Sequence, residues 1–158
     1  MNTCENNSAP ASEPSSTACL ILEPMPLVAH DLATTLRDRL RCPALIATSE
    51  EQATSLLSEL DPAARLRMAI IRMKPPLFAD SPLRPLIEAR CARVILMGSD
   101  ASTMEDAKPW PWALLEWPFG TGQLLALLDS LGLSPEPGPG LPKVGGAGPE
   151  GPTEADAR

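Results

Sequence analysis

Two charged residues close apolar runs, and they are the first candidates for chemistry. Cys19-Leu-Ile-Leu-Glu23 ends on an acid, and Arg65-Leu-Arg-Met-Ala-Ile-Ile-Arg72 ends on a base shortly before the double proline Pro75-Pro76. In an open parallel sheet, ligands and chemistry lie just beyond the carboxyl ends of the strands, so the end of a central strand is the place to look. Arg72 stands there. A guanidinium can hold an anion or pair with a carboxylate, but it is no nucleophile. Gly120-Thr-Gly122 opens the last helical stretch, and its amides are the natural companions for Arg72 around a small anion. The triplet is too short to identify a phosphate loop and by itself reads as a loop-to-helix junction.

The other reactive side chains offer less. His30, the only histidine, falls beside Asp31 on a helix surface with no nucleophile in view. Cys4 lies in a polar arm, while Cys19, Cys42 and Cys91 sit at or near the starts of apolar runs. No CxxC pair and no histidine cluster accompanies them, so they read as buried thiols, not metal ligands.

The elements that must position these residues alternate along the chain. The run ending at Glu23 is the first strand. Pro26 then suits the first position of a helix over Leu27 to Leu40, with Val28, Leu32, Leu36 and Leu40 on one face. Ala44-Leu-Ile-Ala-Thr48 is the second strand, and Ser49-Glu-Glu-Gln52 is a capping box for a helix that buries Ala53, Leu56, Leu57 and Leu60. Met68 to Ile71 forms the central strand, bounded by turn signals and apolar throughout, as a strand buried on both faces should be. A loop carrying Phe78 is expected next, then a short helix opened by Ser81-Pro82 and distorted by Pro85. Ala92 to Gly98 is the fourth strand. A weak fourth helix capped by Asp100 or Ser102 is cut off by Pro109 and Pro111. Trp112 to Glu116 is the fifth strand, and Leu124, Leu125, Leu127, Leu128 and Leu131 face inward from the last helix, which Gly132 ends. This (βα)5 order predicts an α/β, flavodoxin-like doubly wound parallel sheet with strand order 2-1-3-4-5.

Composition bounds the rest. A chain of 158 residues, 44% hydrophobic, buries one ordinary core. No apolar run reaches the length of a membrane span, and residues 1–17 have neither the basic start and apolar centre of a signal peptide nor the arginines of a transit peptide. A cytoplasmic protein is expected. The net charge of −7 divides into −2 for residues 1–17, −3 for 18–133 and −2 for 134–158, so no basic face is offered to nucleic acid. Residues 1–17 read as a disordered arm. Residues 134–158, with six prolines and six glycines, read as a solvated tail in which the PxxP at Pro139 to Pro142 arises by chance. The folded domain is expected over 18–133, with no output domain after it.

Three motifs carry a family resemblance. Leu20-Ile-Leu-Glu-Pro-Met-Pro-Leu-Val-Ala-His-Asp-Leu32 resembles the opening of a response-regulator receiver domain, Ile95-Leu-Met-Gly98 is similar to that family's fourth-strand ending, and Leu115-Glu-Trp-Pro-Phe119 resembles its Lys-Pro-Phe signature. The resemblance implies a pocket in which a carboxylate on the third strand takes up a phosphoryl group. Acids after the first strand help hold Mg²⁺ there, and a hydroxyl and a lysine read the phosphoryl oxygens. This sequence keeps only Glu23. Pro24 replaces the second acid, Arg72 the nucleophile, Met97 the hydroxyl residue and Trp117 the lysine. Leu114 stands where the family usually has a switching aromatic.

Together these losses mark a degenerate pseudo-receiver: not an enzyme, with no cofactor and no metal. Its expected role is a phosphorylation-independent module of two-component or phosphorelay signalling. Its expected partner is a protein, namely a histidine kinase, a phosphotransfer protein or another regulator, or a second copy in a homodimer, with no nucleic acid and no membrane. Arg72 either pairs with Glu23, supplying the charge Mg²⁺ would bring, or reaches solvent. Trp112 and Trp117 can fill space left by a stunted helix and a vacated pocket, whereas Trp110, Trp112 and Leu114 are the candidates for an interaction face. The alternative is a small-anion or nucleotide sensor using the crevice around Arg72. Residual phosphoacceptance at another acid is a third reading.

Overall fold

A computed structural model describes residues 18–91, 93–98 and 110–133. The expected arm (1–17), tail (134–158) and fourth helix near Asp100 and Ser102 lie outside the described residues. Five strands, β1 (Ala18–Leu22), β2 (Ala44–Ala47), β3 (Leu66–Ile71), β4 (Val94–Gly98) and β5 (Ala113–Glu116), form one sheet in the order β2-β1-β3-β4-β5. All four pairings are parallel. The fold is the expected flavodoxin-like one. The described helices are α1 (Pro26–Leu40), α2 (Glu50–Glu59), α3 (Pro75–Asp80), α4 (Leu83–Glu88) and α5 (Thr121–Ser130). None is long and apolar enough to cross a membrane.

The two faces of the sheet bury separate cores because successive side chains of a strand point to opposite sides. Cys19, Ile21, Met68, Ile70, Ile95, Met97 and Leu115 face α1 and α5. Leu20, Leu22, Ala69, Ile71, Leu96 and Trp112 face α2, α3 and α4. With both faces covered, the central strands read as continuous apolar runs, which is why they could be found without alternation.

Local chemistry sets the helix ends. Pro26 begins α1 at a position whose N–H has no partner to lose. Arg41 ends it in the left-handed region (φ 56°), a site glycine normally takes, and donates its N–H to the Arg37 carbonyl at 3.0 Å. At α2 the Ser49 Oγ accepts the Gln52 N–H at 3.2 Å, while the Gln52 Oε1 accepts the N–H of Thr48 at 2.8 Å, one residue earlier than a full capping box would have it.

The loop expected around Phe78 is a helix instead. Pro75 and Pro76 occupy the first helical positions, where fixed φ and a missing N–H cost nothing, and Phe78 is fully buried against Trp112 and the sheet. Burying such a ring gains about 1.5–3 kcal/mol, enough to hold one short turn. α4 is likewise only six residues long, and the Ser81 Oγ accepts the N–H of Leu83 at its start.

Candidate functional site

The parallel ladder brings the ends of β1 and β3 side by side. The Glu23 N–H donates to the Ala47 carbonyl (3.0 Å) and the Arg72 N–H to the Leu22 carbonyl (2.8 Å), so each residue continues its strand by one step. Their side chains meet. Arg72 Nη1 donates to Glu23 Oε2 at 3.1 Å, with the carboxylate side chain 1% exposed and the arginine 24%. The other carboxylate oxygen, Oε1, accepts the N–H of Met25 at 2.9 Å. Of the two readings of Arg72, the structure takes the pair.

Trp117, just past β5, closes the site from the far side of β4. The Arg72 guanidinium carbon lies 4.2 Å from the centroid of the indole, well inside the range of about 6 Å in which a cation is held by a ring face. Trp117 is anchored by its N–H to the Gly98 carbonyl (2.9 Å), and Phe119 stands edge-on to it at 5.5 Å. β4 lies between β3 and β5 and ends in Gly98, whose carbonyl holds the Trp117 backbone. The result is a stack of carboxylate, guanidinium and indole drawn from three strands.

The sequence-predicted residues divide. Glu23, Arg72 and Trp117 are brought together. Pro24 is exposed beside them and contributes no ligand. Met97 is 1% exposed within the core under α1 and α5, and the residue that ends β4 at the site is Gly98. The β3–β4 register, continued one step past Ile71 and Leu96, sets Met97 opposite Arg72, as a buried apolar side chain that offers no hydroxyl. The Met25 N–H was missed, because a backbone amide two residues beyond Glu23 leaves no trace in residue type.

A Mg²⁺ site of the receiver kind does not fit these residues. Among the described residues Glu23 is the one carboxylate in the stack, its oxygens already accept from Met25 and Arg72, and Pro24 stands in the place of the second acid. Among the described residues no group of three or more His, Cys, Asp or Glu side chains is placed to hold a metal. A shallow groove of about 130 Å³ borders the stack, lined by Val28, Asp31 and Thr35 of α1 and by Trp117, Phe119 and Thr121. His30 and Asp31 are exposed on α1, as a helix-surface assignment requires.

The proposed interaction face does not hold together. Trp112 is buried, edge-on to Phe78 (4.9 Å), beneath the Arg84 guanidinium (5.2 Å), with its Nε1–H donated to Glu88 Oε1 at 3.0 Å. It lies just before β5 and is held toward α4 by Arg84 and Glu88. Trp110 is half-buried and stacked on Trp112 at 5.7 Å, so it extends the same aromatic cluster. Leu114, 41% exposed, is the one of the three that faces outward.

No protein-family model and no curated protein matches the sequence. Solved structures do. A response regulator receiver protein from Burkholderia phymatum superposes with a TM-score of 0.55 at 19% identity, over 76% of this chain and 98% of that one. One from Sinorhizobium medicae gives 0.53 at 16%, over 75% and 96%. The chemotaxis protein CheY4 of Vibrio cholerae gives 0.52 at 14%, over 73% and 98%. The chain has the receiver fold.

Proposed function

We propose that this chain is a receiver-like module of two-component signalling that performs no phosphoryl transfer and acts in the cytoplasm by contact with a protein partner. The observation that carries the reading is the Arg72–Glu23 pair under Trp117. A receiver's third strand ends in the carboxylate that takes the phosphoryl group. Here the same position supplies a cation, and that cation is already bound to the carboxylate that would help hold Mg²⁺. The lysine position on the fifth strand supplies an indole that covers the cation. Two replacements and one retained acid at three strand ends form one closed arrangement, which is what selection for a fixed shape would produce.

Purified full-length protein incubated with Mg²⁺ and acetyl phosphate tests the first half of the proposal. Intact mass should show no phosphoryl adduct, and Trp117 fluorescence should not respond to Mg²⁺ with beryllofluoride. A stoichiometric adduct at any acid would overturn it. For the second half, the protein is mixed with purified histidine kinase and phosphotransfer domains of its own cell and run on a sizing column, alone and together. Association that survives removal of ATP is expected. No association with any of them and a strictly monomeric protein would count against a contact-based role. The anion-sensor alternative is read in the same series. Stabilisation by phosphate or nucleotide that is lost in Arg72→Met would favour it.

A further inference from the structure

At the opposite end of β1 from the stack, Cys19 and Cys42 lie with their sulfurs 2.7 Å apart, both buried. Two unbonded sulfurs normally keep well beyond that separation, so the backbone already holds the pair near bonding reach. Cys19 is the second residue of β1, and Cys42 follows the Arg41 cap of α1. The Cys19 N–H, donated to the Pro43 carbonyl at 2.8 Å, fixes the two segments against each other. We infer that Cys19 and Cys42 form a reversible disulfide, a covalent site that ties the start of β1 to the end of α1.

The step is a two-electron oxidation. Two thiols lose two protons and two electrons and gain one S–S bond. A peroxide accepts the electrons to give two waters, or a small disulfide such as oxidised glutathione accepts them to give two thiols. The order of events follows from burial. In the closed fold the Cys19 thiol is held neutral by its hydrogen bond to Cys42 and by burial, so it does not react directly. The way in is the surface segment around Cys42. It sits between exposed Arg41, whose backbone is in the left-handed region, and exposed Pro43. Once an oxidant has acted on Cys42 during a local opening, closure returns it to contact with Cys19, which displaces the leaving group and seals the bond. Proximity in the native fold is what makes the disulfide persist against reducing thiols.

The test uses the full-length chain equilibrated across reduced and oxidised glutathione mixtures, with acid-quenched peptide mapping under non-reducing conditions. The expected result is a linked peptide pair containing Cys19 and Cys42 that appears in a single two-electron transition, with Cys4 and Cys91 unlinked. Closing a loop of this length raises the unfolding midpoint by roughly 5–10 °C in the oxidised form. The Cys42→Ala variant loses both the linked pair and the shift. Because replacing a buried thiol can itself unfold the protein, the wild-type map stands as an independent readout. Glutathione adducts or a different linked pair in fully oxidised buffer, with Cys19 and Cys42 still unlinked, would refute the assignment.

Discussion

Glu23 and Arg72 close an ion pair of 3.1 Å between the ends of two adjacent central strands, with the carboxylate removed from solvent. A buried carboxylate is tolerable only while its partner is present, so the two residues should depend on each other energetically. Arg72→Met should cost about 2–3 kcal/mol and Glu23→Gln about 1–2 kcal/mol, less than for a fully buried pair because the arginine is partly solvated. In urea unfolding, the double variant should fall short of the sum by about 1–2 kcal/mol. Additivity would show that the two charges do not stabilise one another.

Trp117 covers Arg72 at the position where the family has lysine. Trp117→Phe retains a ring face and should cost about 1 kcal/mol or less, whereas Trp117→Lys sets a second cation beside the first and should cost about 2 kcal/mol more. Denaturant midpoints of the two variants check the order.

Arg72→Asp restores the nucleophile's residue type without restoring its site. It places a second carboxylate against Glu23, Pro24 adds no ligand, and Trp117 cannot neutralise a phosphoryl oxygen. No phosphoryl adduct is expected by intact mass after treatment with acetyl phosphate and Mg²⁺. The variant should also be less stable than wild type at neutral pH.

How much of this was legible follows from which signals are local. Apolar runs broken by prolines located five strands and their order, because a doubly wound sheet needs little else. The α3 helix was hidden because Pro75-Pro76 reads equally as a stop or as a first turn, and only the buried Phe78 decides. The facing of the β4 side chains was hidden for a different reason. Val94 to Met97 is apolar throughout, so nothing in the run says which side chain faces which layer. Pairing with β5, Met97 against Leu115 and Gly98 against Glu116, settles it. Parity does not separate Trp112 from Leu114, which lie two residues apart; the first is buried against Phe78 and the second is 41% exposed. That Trp117 covers Arg72 is a tertiary fact with no sequence-local trace.

Trp112, just before β5, and Leu114, within it, carry opposite expectations because the first is buried and the second exposed. Trp112→Ala removes a buried ring and leaves Glu88 without its indole donor, and should cost about 3–5 kcal/mol. Leu114→Ser, on the outward face, should stay within about 0.5 kcal/mol of wild type. Chemical denaturation ranks them, and a reversed order would place Trp112 at the surface.

Burial pushes the Cys91 thiol up from 9.0 to about 12. The unfolded chain releases this proton near the ordinary value while the folded chain retains it. The contribution is therefore complete below pH 9.0 and is lost as pH rises toward about 12. Half-burial limits the loss to about 1–2 kcal/mol. Cys91→Ala should flatten the alkaline limb of a stability–pH curve by that amount, whereas an unchanged limb would mean the thiol ionises freely.

The clamp between β1 and β3 is assembled entirely from the polypeptide, so it is complete as soon as the chain has folded. A conventional receiver reports history: it carries a mark for a time and then loses it. On the function proposed above, a module closed by its own arginine would have no such memory. If it works by contact, the quantity it conveys is its own concentration, and the cell adjusts the message through synthesis and turnover of the chain.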